Sequence, residues 1–133
     1  MAFPRAIALA ERAWARSPDW SKVSDPAVRN SETQSDWNQF ANRLGQRELP
    51  RLDYLFGGIH YRLPPPGALV RDGQVRANVA FPGLKVRYTT DGTEPNENAA
   101  VLGEPIPFSP HIKLRSFDTR GRGSRTVDAG AQD

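Results

Sequence analysis

Residues 86–95, with the sequence VRYTTDGTEP, constrain the fold of this chain more than any other segment. Val86, Tyr88 and Thr90 fall on one face of an extended backbone and the intervening residues on the other, which is the alternation of a half-buried β-strand. The pair Asp91–Gly92 follows, and both residue types tolerate the positive φ angles that a tight hairpin turn requires. The sequence therefore predicts a β-hairpin that turns at this pair.

Short alternating segments of the same kind fill the C-terminal part of the chain. Residues 75–81 and 112–115 alternate apolar with polar side chains, and a final strand is expected near residues 124–127. Phe117 is out of phase with the preceding strand residues, which predicts a bulge or burial on both faces there. Short strands separated by turns that contain Pro or Gly are typical of a sandwich. We therefore expect residues 58–133 to form a small antiparallel β-sandwich.

The N-terminal segment FPRAIALAERAW, residues 3–14, is an alanine-rich helix candidate. Pro4 suits the first helical turn, where its missing N–H costs no hydrogen bond, and Pro18 favours an end near Ser17. About 14 residues are too few to cross a membrane, and the segment lacks the order of regions that defines a signal peptide. We expect this helix to lie close against a larger neighbouring layer.

Two further helices are expected before the glycine pair at residues 57–58. Ser35 is a candidate N-cap for a helix that ends at Gly45, and a shorter helix is expected over residues 48–56. The polar residues 17–34 are predicted to form a linker anchored by Trp20 and Val28. The chain thus divides into a helical segment, residues 1–57, and a sandwich, residues 58–133; the fold class is mainly β, preceded by an α-helical segment.

Length and composition limit the possible functions. The chain has 133 residues, whereas a (β/α)8 barrel needs roughly 200 or more. It has no cysteine, so no disulfide supports the fold. The formal net charge of +3 is mild and the basic residues are scattered, so nucleic acid is not an expected partner.

Acidic and histidine side chains are the candidate metal ligands. Asp91, Glu94 and Glu97, with Asn96 and Asn98 nearby, could form a calcium-binding loop, but they lack the spacing of an EF-hand and are better interpreted as solvated. His60 and His111 lie far apart in the sequence, whereas a transition-metal site usually needs three or four ligands. The sequence therefore predicts no metal site and no metal cofactor.

Arginine and tryptophan residues suggest two other kinds of site. Arg120, Arg122 and Arg125 could contact phosphates, but a solvated turn is the preferred interpretation because no aromatic residues are interleaved. The three tryptophans could stack on sugar rings, although anchoring helices to a larger domain is the preferred role. Tyr61 and Tyr88 are also possible sugar-stacking residues, but Tyr88 lies on the predicted core face of its strand. The tryptophans are Trp14, Trp20 and Trp37.

Three segments together resemble one enzyme family. FPRAIALAERAW is similar to the last barrel helix of family 20 glycoside hydrolases, the β-N-acetylhexosaminidases of the chitobiase type. RELPRLDYLFGGIHYRLPPPGA, residues 47–68, resembles the connection that follows, and YTTDGTEP resembles part of the C-terminal immunoglobulin-like module. The resemblance implies that the chain holds the last barrel helix, the linker and the immunoglobulin-like β-sandwich of a bacterial chitobiase.

The resemblance also implies where catalysis resides. In that family an adjacent Asp–Glu pair, within a motif like H-x-G-G-D-E, performs the reaction with help from the substrate's own acetamido group. This chain has no Asp-Glu dipeptide, and Tyr61 and Ile112 follow its two histidines. We therefore expect no catalytic residue, cofactor-binding residue or metal ligand here, and no hydrolysis by this chain alone.

Two functions of different classes follow. In the first, the chain is a structural accessory of an enzyme that releases terminal N-acetylhexosamines, and its partner is the catalytic barrel of the same polypeptide. In the second, the sandwich is an independent module that binds N-acetylhexosamine glycans or another partner. The resemblance implies a periplasmic or secreted protein, with any signal peptide upstream of this segment.

Overall fold

A computed structural model describes residues 5–130 of the chain. The predicted helix start at Phe3 and Pro4 lies outside these residues. The chain divides into two compact units, Met1–Arg62 and Leu63–Asp133. We call them the helical unit and the sandwich unit.

The helical unit contains two longer helices and several short helical turns. Helix α1 spans Arg5–Trp14 and helix α2 spans Pro26–Arg43, with a 3-10 turn at Asp19–Lys22 between them. A π-helical turn, Leu44–Glu48, leads from α2 into the short helix α3, Leu49–Leu52. Within residues 5–130 no helix is both long and apolar enough to span a bilayer.

The predicted linker over residues 17–34 is wrong, because most of it is helix. Helix α2 begins at Pro26, and the Asp25 carboxylate caps it by accepting the Ala27 amide at 2.8 Å. Pro26 has no N–H to leave unpaired, so it suits this first position. Ser35 consequently lies inside α2 and is not its N-cap, and Val28 is exposed. The early part of α2 carries few apolar residues, which hid its helical character.

The predicted end of the helix at Gly45 is also wrong. The backbone continues through Gly45 in the π-helical turn, and Leu44, Leu49 and Leu52 are buried. The third helix is shorter than predicted. A separate 3-10 turn spans Leu55–Gly57, and Phe56 takes a left-handed conformation within it, with φ of 53°.

Up to residue 130 the sandwich unit forms seven short strands in two antiparallel sheets, as the alternation predicted. One sheet has the order β1-β2-β5 and the other the order β4-β3-β6-β7. The strands are β1 Gly67–Arg71, β2 Gln74–Asn78, β3 Lys85–Thr89, β4 Ala100–Val101, β5 Ile106–Pro107, β6 Lys113–Phe117 and β7 Val127–Asp128.

Apolar residues from both sheets form the core between them. Val75 of one sheet and Val86 and Leu114 of the other are buried together with Ile112 and Ala129. Residues paired across strands β3 and β6 contribute to the same layer, since Tyr88 lies opposite Leu114 and packs against this core. Burial of such apolar area supplies most of the driving force for folding.

The prediction of a strand over residues 86–90 is confirmed as β3, whereas the tight hairpin turn after it is wrong. Strands β3 and β4 pair antiparallel, but residues 90–99 connect them instead of a two-residue turn. The Asp91 carboxylate accepts the Thr93 amide at 3.0 Å and the Thr93 hydroxyl at 2.6 Å, so it forms a local turn. Gly92 has the predicted positive φ, at 81°.

The predictions for the last strands are partly confirmed. Ser116 and Phe117 are adjacent and both buried, so this strand end is covered on both faces, as the phase change at Phe117 predicted. The final strand begins at Val127 instead of Ser124, although Gly123 forms an isolated bridge with Phe117.

Candidate functional site

The surface of α1 that lies farthest from α2 is apolar and exposed. An α-helix turns about 100° per residue, so Ala6, Leu9 and Ala13 share one face, which we call the outer face of α1. Leu9 is 73% exposed, and no residue of α1 is buried. An apolar face of this kind on a short helix is typical of a surface that another protein layer covers.

Two ion pairs join α1 to α2. The Arg12 guanidinium lies 4.0 Å from the Asp36 carboxylate, and Arg43 lies 3.6 Å from Glu11. Partly exposed pairs of this kind contribute about 0–1 kcal/mol each. Helix α1 is therefore weakly held by its own unit.

A cleft of about 180 Å³ lies between α1, α2 and the 3-10 turn that joins them. We call it the aromatic cleft. Trp20 and Trp37, two of the three tryptophans considered as sugar platforms, meet in it, whereas Trp14 lies outside it and is 86% exposed. The cleft is lined by Ala8, Glu11, Arg12, Trp20, Thr33, Asp36, Trp37 and Phe40.

Side-chain contacts fix the aromatic rings of this cleft. The Trp20 indole N–H donates to Oδ2 of Asp36 at 3.0 Å. The rings of Trp37 and Phe40 lie 5.8 Å apart between centroids at an interplanar angle of 42°, a tilted aromatic pair. Trp20 was predicted as an anchor, and its carboxylate partner Asp36 lies 16 residues later, in the helix that was predicted to follow Ser35.

The residues considered as metal ligands do not form a cluster. Among residues 5–130 no group of three or more His, Asp or Glu side chains is placed to hold a metal ion. His60 belongs to the helical unit and His111 to the sandwich unit. Hydrogen bonds from the Thr93 hydroxyl and amide lower the pKa of the Asp91 carboxyl below its ordinary value.

The arginine cluster near the end of the sandwich is engaged in local contacts. The Asp118 carboxylate accepts the Arg122 Nε–H at 2.7 Å and the backbone amides of Arg120 and Arg122 at 2.9 Å. Arg115, which the sequence analysis did not identify, donates to the Ser124 carbonyl at 2.6 Å. Its guanidinium also lies 5.3 Å from the centre of the Phe117 ring, within cation–π range. These contacts hold the last loop against β6.

Two antiparallel sheets preceded by helices define the class of protein, a small β-sandwich domain with an N-terminal helical segment. The family model of the chitobiase/beta-hexosaminidase C-terminal domain matches residues 48–126. This match covers more than half of the chain, and the chain belongs to that family.

Two curated relatives agree with the family. The chain is 46% identical over 101 residues to N,N'-diacetylchitobiase of Vibrio harveyi, a match that covers 69% of the chain and 11% of the relative. It is 28% identical over 149 aligned residues to Beta-hexosaminidase of Vibrio vulnificus, which covers 99% of the chain and 17% of the relative. The predicted resemblance to the C-terminal part of a chitobiase-type enzyme is confirmed, and the chain spans less than a fifth of these relatives.

Proposed function

We propose that this chain is a non-catalytic accessory region of a β-N-acetylhexosaminidase, attached to the catalytic barrel of the same polypeptide. In this proposal the outer face of α1 packs on the barrel. Residues 1–57 belong structurally with the barrel, and residues 58–133 form the accessory sandwich. The whole enzyme would release terminal N-acetylhexosamines from β-linked glycosides.

The observation that carries this proposal is the exposed apolar face of α1. Leu9 is largely exposed in a helix that is otherwise held by weak ion pairs. Covering such a face removes apolar area from water, which stabilises the assembly by about 25 cal/mol per Å². The match of 99% of the chain to only 17% of a hexosaminidase supports a covering domain in the same polypeptide.

The proposal assigns no catalysis to this chain. The sequence has no Asp-Glu dipeptide of the kind that the family's reaction needs. We accordingly propose no catalytic residue, no metal and no organic cofactor in it. A periplasmic or secreted location follows from the family resemblance and is part of the same proposal.

The alternative function is a sandwich that binds glycans independently. Aromatic side chains of the sandwich unit would have to be exposed on a flat face or in a groove for this role. Phe81 and Phe117 are buried and Tyr88 packs against the core, whereas Phe108 is 41% exposed and does not by itself make a flat aromatic face. This burial favours the structural role.

Sequencing the native reading frame upstream of Met1 is the first test. An in-frame barrel with an H-x-G-G-D-E motif supports the proposal, and a genuine start signal at Met1 contradicts it.

The second test uses the complete enzyme with Leu9→Lys. We expect a lower unfolding temperature because a charge would be buried against the barrel. The matched control is Val28→Lys on α2, which should leave the unfolding temperature unchanged.

A further inference from the structure

We propose that the aromatic cleft of the helical unit binds one neutral pyranose ring of a glycan. All the residues that line this cleft belong to the helical unit. The cleft combines the two groups that sugar recognition requires. One is an apolar aromatic wall for the C–H face of the ring, and the other is a small set of polar groups for its hydroxyls.

The aromatic wall is accessible and held in place. Trp37 is 54% exposed, so part of its ring faces solvent, and Phe40 supports it at 5.8 Å. Trp20 is fixed by its hydrogen bond to Asp36. Rings that are fixed before binding lose little conformational freedom on stacking, which favours affinity.

The polar groups of the cleft, Asp36 and Arg12, can bind sugar hydroxyls, and their charges sum to zero. Oδ2 of Asp36 accepts the Trp20 indole N–H, and within residues 5–130 its Oδ1 makes no hydrogen bond. That oxygen can accept a sugar hydroxyl. Arg12, 4.0 Å from the same carboxylate, can donate to another. Because the two charges offset each other, a neutral sugar fits the cleft better than an acidic one.

The position of the cleft leaves it open when the outer face is covered. Of the α1 residues that line the cleft, Glu11 lies opposite Leu9 and Ala13, whereas Ala8 and Arg12 lie nearer to the outer face. The rings of Trp20 and Trp37 belong to the 3-10 turn and to α2, so a catalytic barrel on the outer face of α1 would not cover them. The volume of about 180 Å³ is below the roughly 300–1,000 Å³ of pockets for larger ligands, which favours a single ring.

Titration of the 133-residue chain with N,N'-diacetylchitobiose, followed by ¹H–¹⁵N NMR, tests this site. We expect saturable shifts of the indole N–H signals of Trp20 and Trp37 and of the amides near Asp36. A dissociation constant on the order of 1 mM is expected for so small a contact. Trp37→Ala should weaken binding by about tenfold, since it removes the exposed stacking ring.

Trp14→Ala is the matched control, because Trp14 is an exposed tryptophan outside the cleft, and its affinity should equal that of the parent chain. Three outcomes would each overturn the proposal. They are shifts confined to the sandwich unit, no shifts at all, and undiminished binding by Trp37→Ala. So would movement of the same cleft signals when the sugar-free chain is diluted, because a second copy would then fill the cleft. The titration needs no barrel, so its outcome is independent of the test of the proposed function.

Discussion

Ser116 places a hydroxyl inside the sandwich unit with no hydrogen-bond partner in the described part of the chain. A buried hydroxyl without a partner costs about 1–3 kcal/mol. We therefore expect Ser116→Ala to leave the free energy of unfolding of the sandwich unchanged or to raise it by up to about 1 kcal/mol. Urea denaturation, followed by the amide signal of Leu114, measures this change.

Ser124 is the matched control, since it is a buried serine whose hydroxyl is fully used. Its Oγ accepts the Ser116 amide at 3.1 Å and donates to the Arg125 carbonyl at 2.8 Å. Ser124→Ala should lower the free energy of unfolding by about 1–3 kcal/mol, because it leaves the buried Ser116 amide unpaired. Equal losses in the two variants would contradict this assignment.

Asp91 provides a prediction about pH. Thr93 lowers the pKa of the Asp91 carboxyl in the folded chain below the ordinary value of 3.8. The hydrogen bond from the Thr93 hydroxyl has the larger effect, and the one from the Thr93 amide has the smaller. Since the folded pKa is the lower one, the ionised carboxylate stabilises the loop fully above pH 3.8, and this contribution is lost as the pH falls through the folded pKa. An NMR titration of the carboxyl carbon measures the pKa.

Thr93→Val tests the cause of that shift. The substitution removes the hydroxyl donor and keeps the shape and the backbone amide, so the pKa of Asp91 should move back towards 3.8. Asp91→Asn should abolish the contribution of this residue to the pH dependence of stability. An unchanged pKa in Thr93→Val would show that the hydroxyl is not the cause.

The individual elements show which sequence signals were sufficient. Strands β3 and β6 followed from alternation alone, because one face of each is buried in a single core. The start of α2 was missed because its first half is polar and exposed, so no apolar stripe marks it. Asp25 followed by Pro26 is a recognised helix start, and it was the signal that could have corrected this prediction.

The loop between β6 and β7 provides a prediction at the level of one element. Gly121 has a positive φ of 76°, and an added Cβ would press against the Glu97 carboxylate. We expect Gly121→Ala to lower the free energy of unfolding of the sandwich by about 1–2 kcal/mol, since a side chain disfavours this backbone conformation. Thermal unfolding monitored by circular dichroism measures the loss.

Gly103→Ala is the control for that substitution. Gly103 does not have a positive φ, and no atom within 4 Å would meet its added Cβ. The stability of this variant should stay the same or rise slightly, because alanine restricts the unfolded chain more than glycine does. A loss as large as that of Gly121→Ala would indicate a general effect of glycine replacement.

The aromatic cleft could not be predicted as a unit. Each tryptophan was identified as a possible sugar platform, but their separation in sequence gave no reason to place Trp20 beside Trp37. They meet because α2 begins at Pro26 and runs past the 3-10 turn that carries Trp20. An error in one helix boundary therefore concealed the arrangement of the site.

For the whole molecule, the exposed outer face of α1 predicts self-association of the isolated chain. Without a covering layer, Leu9 and its neighbours can be buried only against another copy. Sedimentation velocity at increasing protein concentration should show dimers or larger species, and Leu9→Lys should shift the distribution towards monomer. A chain that stays monomeric at all concentrations would remove this support for the barrel contact.

Val101→Lys is the control for this experiment. Val101 is also an exposed apolar residue, but it belongs to strand β4 of the sandwich unit and not to α1. The substitution adds the same charge and should leave the distribution of species unchanged. Equal effects of the two lysine variants would show that added charge alone prevents association.

At the same scale, the order of a helical part followed by a sandwich was predictable, because the hydrophobic period changes from helical to alternating along the chain. The hydrophobic period could not show how strongly each helix packs against the rest of its unit. Helix α1 is joined to α2 by exposed ion pairs, and contacts between residues so distant in sequence leave no local pattern.

All three tryptophans, Trp14, Trp20 and Trp37, lie in the helical unit, whereas Tyr88 is the one tyrosine of the sandwich unit and packs against its core. Tryptophan fluorescence therefore reports on the helical unit only, because the sandwich unit has no tryptophan. Selective tryptophan emission during heating follows the loosening of the helices. The native sequence thus carries its own optical label for the helical unit, and no dye needs to be attached to follow the unfolding of that unit.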